Sequence, residues 1–223
     1  MSARAAVALA CLVGCAGCSE AEPAAPASSN PWLTVLWHGG IWSLGAYRVG
    51  GATKAQTEEA VPVLIRALND PAPEVRERAV TLLGQIGPEA HSAVPALIRE
   101  LRDKKRNDRN TIAWAVGRIR ARAEESVPAL TEALTDEEKQ VRVCAGFALR
   151  DFGPVAHPAI AALMVALRDK DGAVRQAAAS ALGEIGSRAR IAIPALLEAT
   201  QDDDEGVRSS ASDSVGKLRE TRK

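Results

Sequence analysis

Three histidines, four cysteines and one run of acids are the residues of this chain whose types could do chemistry. Their spacing does not gather them. His38, His91 and His157 lie far apart, and none belongs to a recognisable ligand or triad motif. Cys11, Cys15 and Cys18 crowd near the N-terminus. Cys144 is left alone among small residues and reads as a packing residue rather than a nucleophile. Asp202–Glu205 (Asp-Asp-Asp-Glu) puts four acids in one turn. They lack the alternating spacing of a Ca²⁺ loop, so they read as a solvated charged turn. No phosphate-cradling Gly-rich loop, no Gly-x-Ser-x-Gly and no pair of Cys-x-x-Cys motifs occurs. The expectation is a protein with no catalytic residue, no metal ligand and no cofactor.

The elements that would position any site are helical. Ala, Leu, Arg and Glu dominate and aromatic residues make up 3%, a composition that favours helix over sheet. With 223 residues, 47% of them apolar, the chain is long enough to bury a core and too apolar for wholesale disorder. Its 28 Lys+Arg balance 28 Asp+Glu. General nucleic-acid binders are normally strongly basic, so no nucleic-acid partner is expected.

The first residues read as an address. Met1–Arg4 is a short basic start, and Ala5–Gly14 is an apolar run of about ten residues. That is too short to span a bilayer, which takes about 20 residues as helix, but it suits the centre of an export signal. Leu12-Val13-Gly14-Cys15 resembles a bacterial lipoprotein cleavage box. The resemblance implies lipidation of Cys15 as the first mature residue, export, and anchoring to the cell envelope, on the periplasmic side of an outer membrane where two membranes exist. Cys15-Ala16-Gly17-Cys18 is a second, poorer match. Residues 1–18 are thus read as signal peptide and lipobox. Residues 19–31, rich in Ala, Pro and Ser, are read as a flexible tether. With only Cys144 in the folded part, no disulfide framework is available.

From residue 58 onward the chain repeats every 33 residues. Pro62, Pro95, Pro128 and Pro194 keep this step, with Ala161 in the missing place. Leu64, Leu97, Leu130, Leu163 and Leu196 keep it too. So do Asp70, Asp103, Asp136, Asp169 and Asp202, and Arg76, Arg109, Arg142, Arg175 and Arg208. Each copy holds two helical periods. Val61, Leu64, Ile65 and Leu68 share one face of the first, which is expected to start near Ala60 with Pro62 at an early helix position. Val75, Ala79, Leu83 and Ile86 share one face of the second. Gly87, Gly153 and Gly186 supply helix stops. Arg120 and Arg219 replace them in repeats two and five, where less sharply capped ends are expected. The turn Asp is expected to accept from the N–H groups opening the second helix, and the Arg to reach the Asp of its own or the next repeat.

Val61–Gly87 (VPVLIRALNDPAPEVRERAVTLLGQIG) and Ile160–Gly186 carry a pattern that resembles the HEAT repeat, in the short form related to phycobilin-lyase repeats. Ankyrin repeats share the period, but their Thr-Pro-Leu-His signature is absent. The resemblance implies an all-α, right-handed α-solenoid of five helix pairs across residues 58–223, with second helices lining a concave face. Deoxyhypusine hydroxylase, a HEAT-like enzyme, binds iron through His-Glu pairs, and this sequence has no His-Glu dipeptide. Residues 32–57 hold Trp32, Trp37, Trp42 and Tyr47. An open solenoid must cover its first core face, so this stretch reads as a helical N-terminal cap. The alternative is an interfacial segment on the membrane.

One column of the second helix points away from the core: Thr81, Trp114, Phe147, Ser180 and Asp213. Trp114 and Phe147 fall in adjacent repeats, with Val143 one turn before Phe147 and Asn110, Arg118 and Arg109 near Trp114. Exposed apolar clusters with arginine usually mark interaction sites. These six residues are therefore the expected contact set for a protein or peptide partner of a monomeric envelope scaffold. Two rivals stand beside it: an accessory lyase acting on a prosthetic group, and a structural envelope protein associating through its ends. Repeat two is locally basic around Lys104-Lys105-Arg106, which reads as a solubilising turn or a meeting place for anions.

Overall fold

A computed structural model describes residues 54–220, and their side chains from residue 60 onward. The expected signal peptide, Cys15, the tether and the cap up to residue 53 lie outside the described residues. Within them all regular structure is helical. Five helix pairs follow one another: α1 (Lys54–Ala67) and α2 (Pro73–Ile86), α3 (Val94–Arg102) and α4 (Arg109–Ile119), α5 (Ala123–Ala133) and α6 (Lys139–Phe152), α7 (Ile160–Ala166) and α8 (Gly172–Ile185), α9 (Ile193–Ala199) and α10 (Glu205–Glu220). Helix α1 starts at Lys54, earlier than the Ala60 that the periodicity predicts.

The chain divides into two compact units, Met1–Ala79 and Val80–Lys223. In the first, Val61, Leu64, Leu68, Val75 and Ala79 are buried. In the second, α4 packs on α6, α6 on α8 and α8 on α10, while each first helix packs on its own partner. The columns Leu97/Leu130/Leu163/Leu196 and Val116/Leu149/Leu182 are fully buried. A pair buries its stripe only because neighbours stack on it.

Close stacking requires missing side chains. A Cβ on Gly117 would stand 2.7 Å from Ala148 Cα, and one on Gly183 3.1 Å from Ser214 Cα. Repeat three carries Arg150 in this column. There Gly146, one turn earlier, makes the close approach, 2.8 Å from the Ala177 Cβ.

Gly87, Gly153 and Gly186 end their helices at φ 75°, 59° and 77°. A seven-residue 3₁₀ segment follows each of them. Arg120 takes the same left-handed region at φ 50°, and its N–H reaches Val116 O at 3.1 Å. The expected looser end in repeat two is therefore not observed: the stop is made, with a side chain that pays conformational strain. Arg122 is left-handed as well, and α5 begins directly after it without a 3₁₀ connector. Arg219 lies inside α10.

Candidate functional site

The repeated Arg and Asp form a buried ladder. Arg142 Nε and Nη2 donate to both carboxylate oxygens of Asp169 at 2.8 and 3.0 Å, and Nη1 donates to the Asp136 and Glu137 carbonyls. Arg175 grips Asp202 in the same way at 2.8 and 2.6 Å. For Arg109, Arg142 and Arg175 the partner is the Asp of the next repeat. That Asp also accepts the backbone N–H two residues on, as Asp136 does from Glu138, Asp169 from Asp171 and Asp202 from Asp204. It thus closes the turn before the helix rather than capping the helix itself.

Repeat two alters the rung. Lys104 takes Asp136 Oδ2 at 2.5 Å, so Arg109 reaches only Oδ1, through Nη2 at 2.9 Å. Arg109 Nε is left buried without a hydrogen-bond partner. Burial pushes the Asp136 carboxyl up, but hydrogen bonds from Arg109, Lys104 and the Glu138 N–H outweigh it and hold the group at about 2. Side-chain exposure is 4% for Arg109 and 2% for Asp136. Arg109 therefore belongs to the interior ladder, and its guanidinium is not offered to a partner. This corrects its place in the expected contact set.

Repeat two is also less basic than its composition. Arg106 pairs with Asp108 and Glu100, Arg102 with Glu132, and Lys104 with Asp136. Lys105, Arg118 and Arg120 keep their charge without a carboxylate partner among the described residues.

The outward column behaves as the helical period predicts, since none of Thr81, Trp114, Phe147, Ser180 and Asp213 is buried. Trp114 is 37% exposed. Its ring lies over Gly84, where an added Cβ would sit 3.0 Å from Trp114 Cε3. Phe147 is half-buried, with the Arg150 guanidinium 4.9 Å above its ring centroid, a cation–π arrangement. Arg150 is held there by Asp151 at 2.9 Å. Asn110 and Val143 are half-buried, and Arg118 is exposed one turn beyond Trp114. Sequence reasoning missed Arg150, although its i, i+3 spacing from Phe147 was visible.

It missed exposed apolar side chains on the first helices and their approaches as well. Val165 and Ile191 are 72% and 70% exposed, and Leu197, in the helix that follows Ile191, is 42% exposed. Repeats two and three carry Arg99 and Glu132 in the Val165 column and Ser92 and Glu125 in that of Ile191. A column-by-column comparison of the first helices would have exposed this loss of charge.

The groups able to react stay dispersed. Burial pushes the Cys144 thiol above its ordinary value, which disfavours the thiolate. His157 Nδ1 lies 2.9 Å from Arg188 Nη1. Among the described residues no three His, Cys, Asp or Glu side chains come together to hold a metal ion, and no helix is long and apolar enough to cross a membrane.

Stacked helix pairs, an interior ion ladder and a varied outer column define an α-solenoid. The HEAT repeats family matches residues 41–106, 61–150 and 127–216, and the chain belongs to that family. It is similar in fold to a designed armadillo repeat protein in complex with the peptide (KR)4, at 19% identity and TM-score 0.64, over 85% of this chain and 95% of that one. It is similar to the complex of CpcE and CpcF of phycocyanin lyase from Nostoc sp. PCC7120, at 24% identity and TM-score 0.61, over 72% of this chain and 65% of that one. An engineered protein matches at 21% identity and TM-score 0.60, over 76% and 85% of the two chains. No curated protein matches the chain.

Proposed function

We propose that this HEAT-repeat chain is a non-catalytic scaffold that binds a protein or peptide on its second-helix face. The observation that carries the reading is Trp114: a large apolar ring kept 37% exposed in a column that nothing in the architecture obliges to be aromatic. Phe147 extends the apolar surface, and Arg118 supplies a free cation beside it. Solenoid folds of this kind typically serve as interaction scaffolds, and one similar structure holds a peptide. The reading places the chain in the cell envelope, anchored through a lipid on Cys15, and monomeric. Ser212 supports the last point. It stands exposed in the column where Val80, Ala113 and Ala179 are buried, so α10 presents a polar outer face.

The test is affinity capture with the full chain and with Trp114→Ala plus Phe147→Ala. The double variant is expected to fold and to lose the partners that the parent recovers. Retention of the same partners by a folded double variant would remove the aromatic face from the reading. Mass measurement of the processed N-terminus is expected to show diacylglycerol on Cys15. Light scattering at several concentrations measures self-association. The likeness to the CpcE–CpcF structure favours a second reading, an accessory lyase acting on a prosthetic group, for which bilin transfer to an acceptor protein is the assay.

A further inference from the structure

The second-helix face has a charge order once its internal ion pairs are set aside. Along α4, α6, α8 and α10 the outward column reads Trp114, Phe147, Ser180, Asp213, and the column four residues on reads Arg118, Asp151, Glu184, Lys217. Asp151 is taken by Arg150 at 2.9 Å, and Glu184 by Lys217 at 2.5 Å. Arg150 is itself committed to the Phe147 ring. What remains in these two columns, among the described residues, is one free cation on α4, Arg118, and one free anion on α10, Asp213, both exposed. Neither makes a hydrogen bond or ion pair with another described residue. The apolar side chains Trp114 and Phe147 stand at the cationic end, and the small polar Ser180 lies between Phe147 and Asp213.

The two free charges stand three repeat steps apart. Helices pack at roughly 10 Å, so the separation is about 30 Å, which an extended chain rising about 3.3 Å per residue spans in about nine residues. We propose that this face takes an extended peptide segment of about nine residues that carries an acidic side chain at one end, next to apolar side chains, and a basic side chain at the other. The inference rests on the scaffold reading above and names the chemistry of its partner. Arg118 receives the acid, Trp114 and Phe147 cover the adjoining apolar side chains, and Asp213 receives the base. Exposed charge pairs contribute little individually, so their main effect is on register and on which partners are refused.

The experiment titrates the full chain, by fluorescence anisotropy at low salt, with labelled nine-residue peptides of one apolar centre and different ends. The ends are Glu and Lys in either order, Glu and Glu, Lys and Lys, or Gln and Gln. One of the two mixed orders is expected to bind about fivefold tighter than the Gln-ended peptide. Arg118→Glu makes both ends of the face acidic and is expected to move the preference to the Lys–Lys peptide. Arg118 has no partner among the described residues, so this variant is expected to melt with the parent. Equal affinity for the Gln-ended and mixed peptides, with binding still lost in Trp114→Ala, overturns the charge order and leaves the aromatic face standing. No binding by any peptide overturns both.

Discussion

The Arg–Asp ladder and the outward column of the second helices recur at the same 33-residue step but obey opposite rules. The ladder keeps its residue types in every copy and buries most of them in the middle repeats, where Arg109, Asp136 and Arg142 are buried. Arg142 and Asp169 have side-chain exposures of 7% and 15%. The outward column changes type at every copy, from Thr81 through Trp114 and Phe147 to Ser180 and Asp213, and none of these is buried. A position that must satisfy the same neighbours in each repeat cannot vary, because Arg109 and Arg142 each serve two carbonyls of their own turn and the carboxylate of the next. A position facing solvent has no such obligation. Constancy therefore marks architecture, and variation marks where recognition is free to evolve.

Breaking a rung tests this contrast most severely. Arg142→Ala would leave the Asp169 carboxylate and the Asp136 and Glu137 carbonyls without their donor. Removing one partner of a buried pair costs about 3–5 kcal/mol. Chemical denaturation is expected to show a loss of that order. A loss below about 1 kcal/mol would mean that the ladder is decoration.

Glycine column variants separate interior from edge. Gly117→Ala forces a Cβ to 2.7 Å from Ala148 Cα and is expected to destabilise by about 2 kcal/mol. Gly216→Ala occupies the same column in α10, where nothing lies within 4 Å. There the better helix propensity of Ala is expected to stabilise by up to about 1 kcal/mol. Opposite signs at one repeat position would show that stacking, not sequence, dictates glycine. Equal signs would sink that explanation.

Acid sharpens the same comparison through Asp136. Its carboxyl, ordinarily near 3.8, is held at about 2 in the fold. A depressed value means that the ladder contribution is complete above about pH 4 and disappears as pH falls through 2. The difference corresponds to about 2 kcal/mol. Stability measured from pH 5 to pH 2 is expected to fall faster in the parent than in Asp136→Asn, which no longer titrates there. Parallel curves would mean that Lys104 and Arg109 do not hold this group as drawn.

The period made the fold legible before any coordinates. Leu97, Leu130, Leu163 and Leu196 announce the core, and the recurring Arg and Asp announce a ladder, though not whether each Arg serves the Asp of its own repeat or of the next. The Asx turn, the early starts of α1 and α5 and the left-handed Arg120 were not legible, because hydrophobic spacing carries no backbone torsion. The site was only half legible. Helical phase placed Trp114 and Phe147 on the outward column, but proximity in sequence drew Arg109 into the same set. Its fork points instead into the ladder, where a buried carboxylate competes better for it than any surface partner. Phase also says nothing of the ring under Arg150, or of Val165 and Ile191, whose exposure shows only when columns of the first helices are set side by side.

The smallest expected effect on stability is the most informative for function. Trp114→Ala removes a ring that rests on Gly84 and is 37% exposed. Surface substitutions of this kind cost less than about 1 kcal/mol, far below the loss expected for Arg142→Ala. The thermal midpoint of the Trp114→Ala chain is therefore expected to stay within a few degrees of the parent while partner capture is lost. A destabilisation equal to that of the broken rung would make Trp114 a packing residue between α2 and α4. The distinction between the constant interior and the free exterior would then fail at the one residue on which the proposed function most depends.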